Sequence, residues 1–229
     1  MDFYDLHAHV EDLKSVEEIV EIAKRIGYSG IGLTVKYANI GELRRLKEKI
    51  NELKSGIDIA TCVEIDASGV KELRRKVSKA RKLSEVIVVS GGDYKINRAA
   101  CEDSRVDILA HPEYKRSDSG IDHIVVRAAH ENNVAIEINF HEILETYRKI
   151  RAHVLSHMRR NVMLAEEYNA PIIITSGARS KWELRGPREL SSVGQVLGMS
   201  LENSMKSVSD VPRLIVETNR RKLKVLPHG

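Results

Sequence analysis

The chain has 229 residues, 42% of them apolar and 31% charged, with a formal net charge of +4. That apolar content is too high for a chain that stays disordered, and the length suits the single core of one β/α barrel. No apolar run nears the roughly 18 residues of a membrane span and the amino terminus is acidic and histidine-bearing, so the expectation is a cytoplasmic protein with no membrane partner.

In chain order, seven short runs rich in valine, isoleucine and leucine alternate with segments of helical period: 3–7, 30–34, 58–65, 85–89, 107–110, 134–138 and 171–175. Such alternation marks parallel βαβ units. A helix is predicted over 15–26, where Val16, Ile19, Val20, Ala23 and Ile26 recur at three and four residues. Ser15 and Glu18 form its expected capping box, and Gly27 ends it. The longest helix is predicted from about residue 142 to 168, with Tyr147, Ile150, Val154, Met158, Val162 and Ala165 in one apolar seam. From Pro187 to about 199 the pattern is helical again, and two more helical stretches follow with no eighth strand. Nothing rich in proline, glycine and serine divides the chain, and no solenoid repeat appears. Residues 1–229 are therefore expected to form one α/β domain, a TIM-like β/α barrel with seven strands and extra C-terminal helices. Cys62 and Cys101 lack CxxC spacing and are expected to be buried free thiols.

Functional groups of such a barrel gather where strands end. The first run carries Asp5-Leu6-His7-Ala8-His9, and a period of two puts both imidazoles on one side of the strand. His-x-His alone fits packing as well as ligation, so further ligands decide. Glu64 ends the third run and His111 the fifth, and a barrel brings His7, His9, Glu64 and His111 to one mouth as a possible, vestigial divalent-metal set.

This set resembles the polymerase and histidinol phosphatase family of metal-dependent phosphoesterases, whose barrel also has seven strands and begins with His-x-His. The resemblance implies Thr-Asp-His after the second strand and Ser-Asp-Ala-His after the seventh. Here those places read Thr34-Val35-Lys36 and Ser176-Gly177-Ala178-Arg179, and the fourth strand ends in Ser90-Gly91-Gly92 with no ligand. Metal-cluster hydrolysis needs ions that activate water and neutralise charge on phosphate oxygens. Lys36 and Arg179 can neutralise phosphate but cannot generate hydroxide, so the mouth is expected to bind anions. The alternative is that both cations pair with carboxylates such as Glu64.

Ile172-Ile173-Ile174-Thr175-Ser176-Gly177-Ala178-Arg179-Ser180, the turn Arg185-Gly186-Pro187-Arg188-Glu189-Leu190, Asp107-Ile108-Leu109-Ala110-His111-Pro112 and Val134-Ala135-Ile136-Glu137-Ile138-Asn139 carry a second resemblance. Together they resemble the archaeal ribonuclease P protein component 3 family, counterparts of the thirty-kilodalton eukaryotic subunit. The resemblance covers nearly the whole chain. It implies a subunit of the ribonucleoprotein that removes the 5′ leader from precursor tRNA. The implied partners are the catalytic RNA, precursor tRNA indirectly, and a second small α/β protein subunit. The chain itself would be non-catalytic and would require no cofactor, with magnesium brought by the RNA. Retention of the His7/His9/Glu64/His111 set departs from most of the family and keeps a residual divalent metal in the reading. Two other classes compete: a metal-dependent phosphoesterase built on those four residues, and a scaffold that touches only proteins.

Between residues 146 and 165 stand Arg148, Lys149, Arg151, Arg159 and Arg160, with His153 and His157 and no acidic residue. Arg148 and Arg159 lie about three helical turns apart and share a face, as do Lys149 and Arg160. Arginine forks can donate two hydrogen bonds to one phosphate, and such contacts make affinity fall with salt. A basic run by itself fits a solvated helix face equally well; the resemblance turns it toward RNA. The candidate RNA contacts are these five with Lys36, Arg179, Lys181, Arg185 and Arg188. Arg185 and Arg188 flank the helix start at Pro187, where exposed backbone donors favour anions; a local Arg185–Glu189 ion pair is the alternative. The stretch 213–224, with Arg213, Arg220, Arg221, Lys222 and Lys224 against Glu217, is expected to be a basic arm or a frayed end. Tyr114 and Trp182 are the aromatics most expected at the surface, although a tryptophan more often packs. With aromatics at 4% of the chain, recognition by charge and shape is expected over base stacking.

Overall fold

Strands buried on both faces need apolar side chains on both, and each of the seven predicted runs forms such a strand. In the computed structural model, which describes residues 1–225 with side chains through Leu223, the strands are β1 (Tyr4–His9), β2 (Gly30–Lys36), β3 (Asp58–Ile65), β4 (Val86–Ser90), β5 (Ile108–Ala110), β6 (Ala135–Asn139) and β7 (Ile172–Thr175). They pair in chain order, every neighbour parallel, and helices return the chain between them. Those helices are α1 (Val16–Arg25), α2 (Leu43–Glu52), α3 (Val70–Ala80), α4 (Tyr94–Cys101), α5 (His123–Asn132), α6 (Phe140–Glu145) and α7 (Arg148–Glu167). After β7 come α8 (Pro187–Val196), α9 (Leu201–Lys206) and α10 (Asp210–Val225).

The sheet curls into a nearly closed barrel with two apolar layers. Ile31, Leu33, Val63, Ile87, Leu109 and Ile136 pack outward beneath the helices. Tyr4, Leu6, Cys62, Val88, Ile108 and Ile173 fill the interior. Space there is tight: a Cβ at Gly30 would stand 2.1 Å from the Tyr4 ring, so only glycine admits that aromatic. Among the described residues no ladder joins β7 to β1. The chain after α9 bridges the gap instead, Ile174 N donating to Ser207 O at 3.2 Å and Tyr4 N to Val208 O at 2.9 Å. Cys62 and Cys101 are buried and free, and among the described residues no helix is long and apolar enough to cross a membrane.

Three expectations need correction. The Ser15–Glu18 capping box does not form: Ser15 Oγ donates to Asp12 O at 2.7 Å, Asp12 caps the preceding turn through Lys14 N, and Glu18 pairs with Lys181. The helix expected over 142–168 is broken between α6 and α7. Thr146 donates its hydroxyl to Glu142 O at 2.7 Å, a bond that competes with the helical ladder, and Thr146 and Tyr147 are extended. The break swings Tyr147 and Ile150 into solvent, 66% and 58% exposed, so the apolar seam starts at half-buried Val154 and runs through buried Met158, Val162 and Ala165. Third, the C-terminal stretch is neither an arm nor a frayed end. Helix α10 plugs the barrel floor: Val216 joins the interior, Asn219 Nδ2 donates to Asp107 at 2.8 Å, and Arg220 forks onto Asp58 at 2.8 Å and Glu85 at 2.5 Å. Arg213 and Arg221 pair with Glu217; the side chain of Lys224 lies outside the described residues.

Candidate metal and phosphate site at the barrel mouth

A bulge in β1 aims the two histidines inward. Asp5 pairs with Ile31 and Ala8 with Leu33, so three steps along β1 match two along β2. Without the extra residue, the period of two that turns Tyr4 and Leu6 into the barrel would turn His7 and His9 out of it. With it, Leu6 faces in, Ala8 faces the helices, and the His7 and His9 rings stand 4.8 Å apart in the mouth. Glu64 and Glu137 need no such device. Glu64 follows the inward-facing Ala60 and Cys62 of β3, and Glu137 follows the inward-facing Ala135 of β6.

His7, His9, Glu64 and His111 converge as expected. His7 Nε2 and His111 Nε2 each lie 3.9 Å from Glu64 Oε1, and His9 Nδ1 lies 3.9 Å from Glu64 Oε2. Behind them stands a second layer. Glu137 Oε1 is 2.7 Å from His7 Nδ1, Thr175 donates to Glu137 at 2.6 Å, Ser90 donates to Glu64 at 2.7 Å, and Glu142 Oε1 is 3.5 Å from His111 Nδ1. His111 holds a left-handed backbone, φ 49°, uncommon for a residue with a Cβ.

Burial opposes charge on His7, but the charge and hydrogen bond of Glu137, with Glu64 and Asp5 adding, outweigh it and lift its pKa to about 9. Burial likewise opposes ionisation of Glu137, yet His7 draws that carboxyl down to about 2. His9 goes the other way: burial and then the neighbouring His7 charge push it down to about 3, with Glu64 opposing that fall. Glu64 sits below its ordinary value, burial being overcome by His7 and His9. Asp5, fully enclosed and accepting from Ser176 N and His7 N, is raised by burial.

Lys36 is the last residue of β2, Arg179, Lys181, Arg185 and Arg188 follow β7, and the five other cations lie on α7, the helix that returns the chain from the β6 end to the start of β7. Lys36 ends β2 and is exposed; Arg179 follows β7 and is exposed; neither forms an ion pair among the described residues, and Glu64 is engaged by Ser90 and the histidines. Arg188, in the first turn of α8, is exposed and equally unpaired. Lys181 is engaged, 2.7 Å from Glu18 and 5.0 Å from the Trp182 ring. Arg185 donates to the carbonyls of Trp182 and Leu184 and lies over the Phe140 ring, and no Arg185–Glu189 pair occurs among the described residues. Arg148, Lys149, Arg151, Arg159 and Arg160 are exposed on α7 without carboxylate partners among the described residues, though Arg151 Nε donates to Thr146 O. Trp182 is 77% exposed and Tyr114 44%, which settles Trp182 as a surface residue.

A family model described as RNase P subunit p30 matches residues 2–224. The chain belongs to the RNase P subunit p30 family. This p30-family chain is 34% identical to the ribonuclease P protein component 3 of Methanothermobacter thermautotrophicus, over all of this chain and 94% of that one. It is 38% identical to that of Methanococcoides burtonii, over 95% and 88%. A cryo-EM structure of archaeal ribonuclease P with mature tRNA contains a chain that superposes with a TM-score of 0.79 at 29% identity, covering 99% of this chain and 96% of that one. In fold alone, the p30-family barrel is also similar to a histidinol phosphate phosphatase of Lactococcus lactis, with a TM-score of 0.51 at 12% identity over 95% and 94% of the two chains.

Sequence reasoning missed four members of the p30-family mouth: Glu137, Thr175, Ser90 and Glu142. For Glu137 the signal was present, since an acid in the middle of Val134-Ala135-Ile136-Glu137-Ile138 cannot face a helix-covered layer without a partner. Thr175 and Ser90 carry no comparable signal, because hydroxyls are ordinary at strand ends.

Proposed function

We propose that this ribonuclease P subunit serves the holoenzyme that removes the 5′ leader from precursor tRNA by gripping RNA phosphates with the cationic rim of its barrel mouth. One observation carries the reading: Lys36, Arg179 and Arg188 stand exposed at the mouth end with no carboxylate partner among the described residues. A free guanidinium or ammonium beside a wall of protein is a ready phosphate ligand, whereas a paired one must first give up its partner. The exposed α7 cations extend the grip, Arg159 standing about 16 Å along the helix from Arg148 at 1.5 Å rise per residue. Lys181 and Arg185 belong to the same rim and contribute less, their charges being already engaged.

On this reading the chain by itself cuts nothing. Val35 and Gly177 occupy the places of carboxylates that a multinuclear hydrolytic centre requires, and Lys36 and Arg179 cannot activate water. The catalytic RNA brings its own magnesium and makes the cut. We further propose a second small α/β protein subunit as partner, and the cytoplasm as the place of work, following from the role of the family.

Reconstitution with the cognate RNA and companion subunits tests the reading. Leader cleavage at limiting magnesium should rise when the full chain is added. Replacing Lys36, Arg179 and Arg188 together by alanine should flatten the dependence of log K on log salt by about 2–3, at about 0.7–0.9 per phosphate contact. No stimulation by the parent chain, or a slope unchanged in the triple variant, defeats the proposal.

A further inference from the structure

A metal ion requires more than a cluster of donors, and the mouth passes a stricter test. His7 is wholly buried, and its Nε2 has no hydrogen-bond partner among the described residues. Leaving a buried ring nitrogen unsatisfied costs free energy, and no nearby protein donor or acceptor relieves it. The orphan atom is aimed at Glu64, and His7 Nε2, a Glu64 oxygen and a His111 nitrogen all lie within 4.8 Å of one another. Two ligands about 2.1 Å from one tetrahedral ion stand about 3.4 Å apart. The two 3.9 Å separations to Glu64 therefore close around an ion by about half an ångström, and the His7–His111 separation, within 4.8 Å, by up to about 1.4 Å, within reach of side-chain rotations.

The outer shell is already in place. The contact from Glu137 to His7 Nδ1 at 2.7 Å holds the ring with Nε2 facing the cluster, the arrangement by which carboxylates orient metal-binding histidines. Ser90 holds Glu64, and Glu142 stands behind His111. Two imidazoles and one carboxylate form a borderline-soft donor set that suits zinc, cobalt or manganese, while magnesium prefers oxygen and retains its waters.

We propose that His7, Glu64 and His111 bind one divalent transition-metal ion of the zinc class, distinct from the magnesium carried by RNA, with Glu137 as the residue that positions His7. This ion is single: Val35, Lys36, Gly177 and Arg179 supply no ligands for neighbours. Its charge adds to that of Lys36 at the same mouth. The site stands independently of the RNA reading, and either can fail without the other.

The test uses the purified full chain, stripped with chelator and titrated with Co²⁺, whose visible d–d absorption reports a low-coordinate site. One equivalent per chain should bind with that absorption, and Zn²⁺ should displace it. Glu64→Gln and His111→Asn, the latter keeping a residue that tolerates the left-handed backbone, should abolish the band, and Glu137→Gln should weaken binding about 10- to 100-fold. His153 and His157, one turn apart on α7 with ring centroids at 6.5 Å, are the competing surface chelate, and His157→Ala should leave the band unchanged. Circular dichroism of each variant separates lost ligation from lost folding, and the parent titration stands without any variant. Binding well below one equivalent, no d–d band, or a band that survives Glu64→Gln and disappears with His157→Ala overturns the proposal.

Discussion

His7 and Glu137 meet inside the barrel mouth with Nδ1 2.7 Å from Oε1, and neither side chain has any solvent exposure. Each is what makes the other's charge tolerable at that depth. Removing one partner of a buried pair leaves the other charge uncompensated, at about 3–5 kcal/mol. Glu137→Ala in the chelator-treated chain is therefore expected to lose about that much stability in urea unfolding. A midpoint matching the parent would mean that the pair contributes nothing.

Glu113, buried under α7, gives the chain a pH dependence. Burial, with the charges of Glu142 and Glu137 adding, pushes its pKa up to about 8 from the ordinary 4.5. Among the described residues neither its Oε1 nor Asn161 Oδ1 has a partner, and Asn161 Nδ2 donates to Glu113 Oε2 at 3.2 Å. A protonated carboxyl carries no buried charge, and its hydroxyl is a donor in a site that otherwise offers two unsatisfied oxygens. The sign follows: an acid whose folded pKa lies above its unfolded value stabilises the fold fully below about 4.5, and that contribution is lost as pH rises through about 8. Glu113→Gln, whose amide donates at every pH, should unfold near the parent midpoint at pH 4.5 and at higher denaturant than the parent at pH 9. Parallel stability curves for the two proteins across that range would refute the assignment.

Arg220 separates a plug from an arm. Its guanidinium holds Asp58, Glu85 and the Ile59 carbonyl under the barrel, with a third of the side chain exposed. Charged hydrogen bonds contribute about 1.5–3 kcal/mol each when buried, less where water reaches them. Arg220→Met should cost about 2 kcal/mol in equilibrium unfolding while leaving the salt dependence of RNA binding unchanged. A flatter salt slope with unaltered stability would return this residue to the RNA-binding set.

Trp182 is the chain's one tryptophan and sits on the loop that also carries Arg179 and Lys181. At 77% exposure its emission should be that of an indole in water, and it should be quenched as cognate RNA saturates the chain. Quenching should weaken in Arg179→Ala at equal RNA concentration. Full RNA binding with unchanged emission would remove this loop from the interface.

How far the mouth was legible varies by residue. Strand-end position is enough to place His7, His9, Glu64 and His111 at one mouth, because a parallel barrel sends every strand's C-terminus to one end. The same rule places Lys36 at the end of β2 and Arg179 just after β7. Glu137 was overlooked although an acid in an apolar strand announced it. Tyr147 and Ile150 were misassigned because helical spacing says nothing of a threonine that bonds back and stops the helix. The basic C-terminal stretch looked like an arm because composition counts Arg220 but not the distant Asp58 and Glu85 that hold it.

Sequence alone determined the number and order of strands, the end of the barrel where chemistry gathers, and the side-chain types there. These follow from hydrophobic period and chain direction, which are properties of neighbouring residues. Only the tertiary structure decided that a bulge turns His7 and His9 inward, that Glu137 grips His7 from 130 positions away, and which cations remain without partners. The physical reason is range: a period is written within a dozen residues, whereas a bulge's effect on side-chain direction and a charge's partner depend on how distant segments pack.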